Sequence, residues 1–198
     1  MISSALLAGY HTTALTIMWT MHALTRHPSA YETVREEIDS RLEGRPPTLA
    51  DLDALPYLKK AINETFRLYT LAPFMSRELP TATHFPAPLS ATLPKGTTVL
   101  IPASTLHTAA SQWRGTDPDT FDMNREPPSD PLAFAPFGYG ARACPAERFA
   151  RAEVGLVVVR LLQRFEWTAD DVGVVERVER FVVMAKGDIK VRVMPRAA

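Results

Sequence analysis

The 198-residue sequence has little cysteine, no excess of charge and no long apolar run. Its single cysteine, Cys144, excludes an internal disulfide and with it the small secreted scaffolds that disulfides hold together. The 22 Lys and Arg residues balance 22 Asp and Glu residues, so no overall field draws the chain to nucleic acid. Hydrophobic residues make up 46% of the chain, which is typical of globular proteins. We therefore predict a globular protein with no nucleic-acid partner.

The first 25 residues carry no charged side chain, so a membrane or signal role must be weighed against a buried helix. Ser, Thr and His side chains interrupt this segment before it reaches the ~18 consecutive apolar residues of a membrane span. It also lacks the basic start of a signal peptide. We expect a buried interior helix, with the membrane or signal role as the alternative.

Apolar residues at helical spacing predict three further long helices. Pro28 should end the first helix, Ser29 should cap the second, and Gly44 should end it. A third helix is predicted from Pro56 to Leu71, and a fourth from about Pro145 to Phe165. The apolar stripe of the fourth helix is formed by Phe149, Val154, Val157, Val158, Leu161 and Leu162.

Most of the 17 prolines fall between positions 73 and 136, which predicts a loop-rich, extended middle section. A strand around Thr97 to Ile101 and a short helix near Ser104 to Ala110 are the regular elements expected there. Near the end, Arg180 to Met184 and Ile189 to Val193 flank a Lys-Gly-Asp sequence. This pattern predicts a β-hairpin that closes the chain.

Cys144 lies where a glycine-rich loop enters the fourth predicted helix. Gly138 and Gly140 allow tight or left-handed backbone there, and Pro145 suits a first helical position. The positive end of the helix favours a thiolate over a thiol. A thiolate is an electron-rich metal ligand, and on haem iron it favours O–O cleavage. The alternative for a lone cysteine is a small buried hydrophobic residue.

The stretch FGYGARACPA, residues 137–146, resembles the Cys loop of the cytochrome P450 family, Phe-x-x-Gly-x-Arg-x-Cys-x-Gly. The matching residues are Phe137, Gly140, Arg142 and Cys144, whereas Ala146 replaces the last glycine. The resemblance implies that Cys144 is the proximal haem ligand, that Phe137 shields it and that Arg142 contacts a haem propionate. Ala146 adds a methyl group where backbone and haem approach each other closely.

Glu64 and Arg67 lie three residues apart on the third predicted helix and share one face. By itself this spacing predicts a solvated ion pair that contributes only ~0.2–0.5 kcal/mol. The family has a buried Glu-x-x-Arg pair at this place, joined by a second arginine from the loop before the Cys. The resemblance implies that Arg125 is this third member, although Met123 and Asn124 replace the usual Pro-Glu. The set would hold the haem-side loops.

The stretch AGYHTT, residues 8–13, falls where the family has Ala/Gly-Gly-x-Asp/Glu-Thr-Thr. The resemblance implies that Ala8 and Gly9 open a groove over the haem iron. It also implies that Thr12 organises proton delivery to bound oxygen. His11 replaces the family's acid and can relay a proton near neutral pH, so His11 and Thr12 are the predicted catalytic residues. The alternative is that Thr12 and Thr13 simply bond to the preceding helical turn.

Smaller matches follow the third helix. Residues 71–77 fall at a substrate-contacting segment of the family, which implies a propionate contact for Arg77; a plain surface arginine is the alternative. Residues 94–97 resemble the family's turn into a strand. His107 occupies the place of a frequent family His or Arg.

The resemblance implies a mainly α fold with small β-sheets, a partial cytochrome P450 fold. Residues 1–198 would be its carboxy-terminal haem-binding portion, with the amino-terminal half absent. The chain is then either a fragment of a longer gene product or a truncated product. A full-length eukaryotic homologue would lie at the endoplasmic reticulum membrane on its cytoplasmic face, with membrane contact only through the missing part. This chain is expected in the cytoplasm.

The implied function is that of a haem-thiolate monooxygenase. Haem b (iron protoporphyrin IX) would activate O₂ and insert one oxygen atom into an apolar small molecule. Electrons would come from NADPH through a redox partner such as a P450 reductase. Two alternatives stay open. One is a non-catalytic remnant, regulatory or haem-responsive, that binds haem weakly or not at all. The other is a helical interaction domain with no cofactor.

Overall fold

The computed structural model describes residues 2–115, 117–169 and 175–196. In that part of the chain, helices dominate. The α-helices are α1 (Ile2–Arg26), α2 (Pro28–Leu42), α3 (Pro56–Leu68), α4 (Ala103–Thr108) and α5 (Glu147–Arg164). Short 3₁₀ turns occupy Asp51–Ala54, Pro131–Ala133 and Gly140–Arg142.

Eight short strands pair two by two into antiparallel sheets within the described residues. The strands are β1 (Met75–Glu78), β2 (Thr83–Phe85), β3 (Ala91–Leu93), β4 (Thr98–Ile101), β5 (Phe165–Ala169), β6 (Arg177–Glu179), β7 (Val183–Ala185) and β8 (Val191–Pro195). The pairs are β1 with β4, β2 with β3, β5 with β8, and β6 with β7. The prediction of a mainly α fold with small β-sheets is therefore confirmed.

The main core lies between α1, α2, α3 and α5. Its centre consists of aliphatic side chains that are almost fully buried, among them Leu24, Ile38, Leu58, Val158 and Leu162. Burying one such side chain contributes about 1.5–3 kcal/mol. Helix α3 supplies both this apolar face and, on its last turns, the buried polar residues of the candidate site.

Helix α1 is only partly an interior helix. Leu6, Leu7 and Tyr10 are 67%, 71% and 78% exposed, whereas Trp19 is completely buried. The expectation of a buried helix is therefore wrong for its first half, where the described residues provide no element to cover it. No helix of the described residues has the length and apolar character needed to cross a bilayer.

Two boundaries differ from prediction. The N-cap of α2 is His27, and Pro28 is its first residue, so the expected Ser29 cap is wrong. The reason is that proline lacks an N–H and fits the first helical position, which moves the cap two residues earlier. Helix α3 ends at Leu68, three residues before the predicted end.

Helix α5 begins at Glu147, so Pro145 is not its first residue as predicted. Its N-cap is Ala146, whose φ of −102° and ψ of 13° lie outside the helical range. Phe149 and Val157 of the predicted stripe are exposed, because the core contacts α5 along a narrower face. The buried residues of α5 are Val154, Gly155, Val158, Val159 and Leu162.

The predicted closing hairpin is wrong. Strand β7 pairs with β6 before it, and β8 pairs with β5, the strand that follows α5 directly. Val193 lies opposite Trp167 in the latter pair. Strand β7 thus forms its hairpin with the strand before it, whereas β8 returns to a strand 22 or more residues earlier in sequence, where cross-strand side-chain pairs stabilise the sheet. The turn at residues 94–97 is confirmed, since Thr97 N donates to Pro94 O at 3.3 Å.

Candidate functional site

The loop from Phe137 to Cys144 is closed on itself by backbone hydrogen bonds. Cys144 N donates to Phe137 O at 2.8 Å. Gly138 and Gly140 have φ of +75° and +70°, the left-handed region that favours glycine. A Cβ on Gly138 would lie 3.3 Å from Met75 Sδ, so the loop also packs closely against β1. The glycines are thus required by backbone conformation and, at position 138, by space.

Cys144 is exposed, and it lies three residues before the start of α5. The possibility of a small buried hydrophobic residue is therefore excluded. In the described residues, no group of three or more His, Cys, Asp or Glu side chains could together hold a metal ion. An exposed sulfur on a short, closed loop can supply one ligand to a metal that has its other ligands from a cofactor, as haem iron does.

Phe137 is fixed beneath the loop by two helices. Its ring meets the ring of Phe66 edge to face, with centroids 5.0 Å apart. The guanidinium of Arg151 on α5 lies 4.8 Å from the centroid of the Phe137 ring and 5.1 Å from that of Phe66. Glu147 holds this guanidinium, with Arg151 Nε 2.8 Å from Glu147 Oε1. The start of the Cys loop is therefore anchored to both α3 and α5.

Three further residues that were predicted to contact haem lie in or next to this loop. Arg142, at the end of the 3₁₀ turn, and Ala146, the N-cap of α5, are both exposed. Arg77 lies on β1, two residues after Met75, and therefore shares the face of the strand that contacts the Cys loop. Its Nη1 donates to Ser76 O at 2.8 Å. Arg142 thus lies in the Cys loop itself, and Arg77 lies on the strand that contacts this loop at Gly138.

Glu64 is buried, and both of its carboxylate oxygens are bound by arginines. Arg67 Nε lies 2.7 Å from Oε2 and Arg67 Nη2 lies 2.8 Å from Oε1. Arg125 Nε lies 3.1 Å from Oε1, and the backbone N–H of Asp122 donates to the same oxygen at 2.9 Å. The structure therefore brings the three predicted members together, and Glu64 and Arg67 are not a solvated pair.

The remaining donors of Arg67 hold the chain that precedes the Cys loop. Nη1 donates to the carbonyls of His107 and Pro118, at 2.9 and 2.6 Å, and Nη2 donates to Thr120 O at 3.0 Å. The ring of Trp113 lies against the same guanidinium, with its centroid 5.2 Å away. Arg67 thus links α3 to α4 and to residues 118–120.

His107 is completely buried, although no periodicity in the sequence indicates this. Its Nε2 accepts from the backbone N–H of Ala135 at 3.0 Å, and its Nδ1 lies 2.8 Å from Thr70 Oγ1. Burial lowers the pKa of His107 to about 4, with the nearby Arg67 charge as a smaller cause, so the ring is neutral. His107, Thr70 and Trp113 are the residues of this network that sequence reasoning missed or left without a role.

The predicted groove residues lie on the exposed first half of α1. Ala8 and Gly9 are exposed, and none of the described atoms outside the helix lies within 4 Å of a Cβ built on Gly9. The helix is unbroken there, and Thr12 Oγ1 donates to Ala8 O at 2.6 Å. This is the bond to the preceding turn that the alternative expected. His11 is half-buried beside it.

A cleft of about 1060 Å³ does not have Cys144 in its lining. It runs between α3 and α5 and is lined by Leu58, Ile62, Phe149 and Leu156 among others. Phe149 forms part of the wall of this cleft. It is therefore exposed, although it belongs to the predicted apolar stripe.

Comparisons with known proteins agree on one family. The family model described as Cytochrome P450 matches residues 1–193. Cytochrome P450 4A2 of Rattus norvegicus is 36% identical over 195 residues, covering 96% of this chain and 38% of the relative. Cytochrome P450 4A11 of Homo sapiens is also 36% identical over 195 residues, covering 96% of this chain and 37% of the relative.

A solved structure shows the same arrangement. The crystal structure of a cytochrome P450, CYP102L1, superimposes with a TM-score of 0.87 at 25% identity, covering 98% of this chain and 44% of that protein. The chain belongs to the cytochrome P450 family. It has a partial P450 fold and spans a little over a third of the length of the P450 relatives it matches.

Proposed function

We propose that this chain is the carboxy-terminal, haem-binding portion of a cytochrome P450 monooxygenase, with haem b (iron protoporphyrin IX) ligated by Cys144. The observation that carries the proposal is the exposed cysteine on a loop closed by its own N–H to Phe137 O, at 2.8 Å. Family membership supports it independently.

The residues around Cys144 fit such a group. Arg142, in the loop itself, and Arg77, on the strand β1 that contacts it, would bind the propionates, because guanidinium pairs strongly with carboxylate. Phe137 would keep water from the sulfur on the side packed against Phe66. Gly140 and Ala146 would allow the haem to approach the backbone, and Ala146 adds only a methyl group.

When bound, a thiolate-ligated haem supplies O₂ cleavage, so that one oxygen atom enters an apolar substrate and the other leaves as water with electrons from NADPH. The chain's own residues on α1 would handle the protons. The imidazole of His11 has one ring nitrogen that donates and one that accepts a hydrogen bond, so it could relay a proton in the place of the family's acid. The Thr12 hydroxyl, which now donates to Ala8 O, would pass it on by rotating away from that carbonyl. Ala8 and Gly9 would leave space for O₂ and an apolar ligand.

The proposal assigns a P450 reductase as the redox partner. The rat and human relatives are eukaryotic proteins. A full-length eukaryotic homologue would, under this proposal, lie at the cytoplasmic face of the endoplasmic reticulum.

A second candidate is a non-catalytic remnant that binds haem weakly or not at all. It is favoured by the exposed apolar side chains Leu6 and Leu7 on the half of α1 that carries the proposed groove. If nothing covers this surface, the groove would not exclude water from the haem.

Haem titration of the 198-residue chain and its Cys144→Ser variant separates these two candidates. The proposal predicts one tightly bound haem per chain, with a thiolate-type absorption spectrum that the variant lacks. With a reductase, NADPH and ¹⁸O₂, the wild-type chain should place one labelled atom in an apolar probe such as an alkylbenzene or a fatty acid. Weak haem uptake with the same spectrum in both proteins would instead support the remnant.

A further inference from the structure

A buried histidine joins the Glu64–Arg67 helix to the chain that leads into the Cys loop. The backbone carbonyl of His107 accepts from Arg67 Nη1 at 2.9 Å. Its ring lies between Thr70, two residues after the end of α3, and Ala135, two residues before Phe137. One residue thus contacts the buried ion-pair network through its carbonyl and the approach to Cys144 through its ring.

Hydrogen bonds continue from this ring to the cysteine. Ala135 donates its N–H to His107 Nε2 at 3.0 Å and accepts from Gly138 N at 3.0 Å through its carbonyl. Phe137, which lies between them in sequence, accepts from Cys144 N at 2.8 Å. Each bond fixes the backbone of the next turn, so the position of Ala135 sets where the loop begins.

The direction of these bonds determines the tautomer of the ring. A backbone N–H can only donate, so Nε2 of His107 must be the unprotonated, accepting nitrogen. The proton is then on Nδ1 and faces Thr70 Oγ1, whose own hydrogen is donated to Arg67 O at 2.8 Å. Both ring nitrogens therefore have defined partners. The ring is also in contact with Phe134, at 5.3 Å between centroids.

We propose that His107 is a positioning residue for the haem-thiolate loop: its neutral Nδ1–H tautomer fixes Ala135, and thereby Phe137 and Cys144, relative to α3. The expected effect of His107 on haem ligation rests on the proposed function. The hydrogen-bond role itself does not depend on haem. No contact of His107 with substrate or haem is required.

Two substitutions separate the two ring contacts. In His107→Gln the side-chain carbonyl can reach the place of Nε2 and accept from Ala135. In His107→Asn the shorter amide can donate at the place of Nδ1 to Thr70 but leaves the Ala135 N–H without an acceptor. His84 supplies a matched control, because its Nδ1 lies 3.2 Å from Thr92 Oγ1 on the exposed β2–β3 hairpin. His84→Asn therefore makes the same substitution on an exposed hairpin and leaves both ring contacts of His107 in place.

The readout that does not need haem is amide hydrogen exchange of the 198-residue chain, followed by NMR at Ala135, Gly138 and Cys144. His107→Asn should speed exchange at all three amides, by roughly tenfold at Ala135, whereas His107→Gln and His84→Asn should leave them within about twofold of wild type. Equal exchange in His107→Asn and His107→Gln, both folded, would overturn the proposal.

A measurement on the wild-type chain tests the proposal even if a variant fails to fold. The ¹⁵N shifts of the His107 ring should show Nδ1 protonated and Nε2 unprotonated. A protonated Nε2 would overturn the proposal without any substitution.

The effect of each substitution on thiolate ligation is measured from the absorption spectrum of the carbon monoxide complex of the reduced, haem-loaded proteins. His107→Asn should lower the fraction with the red-shifted Soret band of thiolate ligation, whereas His107→Gln should keep it. If wild type itself lacks this band, the proposed function fails for this chain, while the exchange and ring-shift results still decide the role of His107.

Discussion

Arg125 Nε lies 3.1 Å from Glu64 Oε1 although 61 residues separate the two in sequence, and their side chains are only 2% and 6% exposed. Arg67 binds the same carboxylate through two further hydrogen bonds. One buried carboxylate therefore faces two buried guanidinium groups, and backbone carbonyls such as Thr120 O take up the remaining donors. Removing the carboxylate would take away the counter-charge that Arg67 contacts through both Nε and Nη2.

The first prediction follows from this charge balance. Glu64→Gln should lower the free energy of unfolding by about 3–5 kcal/mol, because it breaks the buried Glu64–Arg67 pair and leaves the Arg67 charge uncompensated. Glu147→Gln is the matched control, since it breaks the part-exposed Glu147–Arg151 pair and should cost only about 0.3–0.5 kcal/mol. Urea unfolding of both variants checks the difference, and similar losses in the two would show that the Glu64 cluster contributes no more than a surface pair.

The second prediction concerns haem affinity. Arg142→Leu and Arg77→Leu should each weaken haem binding by about tenfold, because each removes a charged hydrogen-bond donor for a propionate. Arg41→Leu removes an equal charge from α2 and should leave the affinity unchanged. Competition for haem with apomyoglobin measures all three. An equal effect of Arg41→Leu would mean that only the net charge matters.

The third prediction tests His11 in place of the family's acid. His11→Glu restores a carboxylate next to Thr12 and should increase the amount of product formed per NADPH consumed, with less hydrogen peroxide released. Thr12→Val removes the hydroxyl and should have the opposite effect. Parallel assays of NADPH, product and peroxide check both. If neither substitution changes the ratio, these two side chains do not handle the protons of the reaction.

The fourth prediction is a pH dependence of stability. Burial lowers the pKa of His107 from 6.5 to about 4, so between these values the unfolded chain binds more protons than the folded one. The free energy of unfolding should therefore fall as the pH falls from 6.5 to 4, by on the order of 3 kcal/mol from this residue, and the contribution should be constant above 6.5. Burial also lowers the pKa of His22 to about 4, so this residue too should lower the free energy of unfolding as the pH falls.

A variant isolates the contribution of His107 from that of other titrating groups. His107→Gln should flatten the slope of stability against pH in this window by up to about 1.4 kcal/mol per pH unit. His84→Gln, at an exposed site, should leave the slope unchanged. Urea unfolding at several pH values gives both slopes, and parallel curves for wild type and His107→Gln would contradict the prediction.

Local patterns in the sequence predicted what local geometry determines. Gly138 and Gly140 indicated a tight loop before Cys144, and both have positive φ. The spacing of Glu64 and Arg67 placed them on one face, but only the resemblance to the family indicated burial. Local sequence patterns could not predict which strand pairs with β8. Its partner is β5, which is distant in sequence, and the pairing places Val193 opposite Trp167.

Burial of polar side chains was the least predictable property. His107 lies in a six-residue helix, too short for an apolar stripe to indicate its inner face. Its burial depends on Thr70 and Ala135, which are 37 and 28 residues away in sequence. Phe149 is the converse case, since its spacing predicted the core and it lies instead in the wall of a cleft.

The carbon monoxide difference spectrum of the reduced, haem-loaded chain is the sharpest test of Cys144 as a haem-thiolate ligand. We expect a Soret band at the red-shifted position of thiolate ligation, and its loss in Cys144→Ser. A haem–carbon monoxide band typical of histidine or thiol ligation, or one that Cys144→Ser leaves in place, would contradict it.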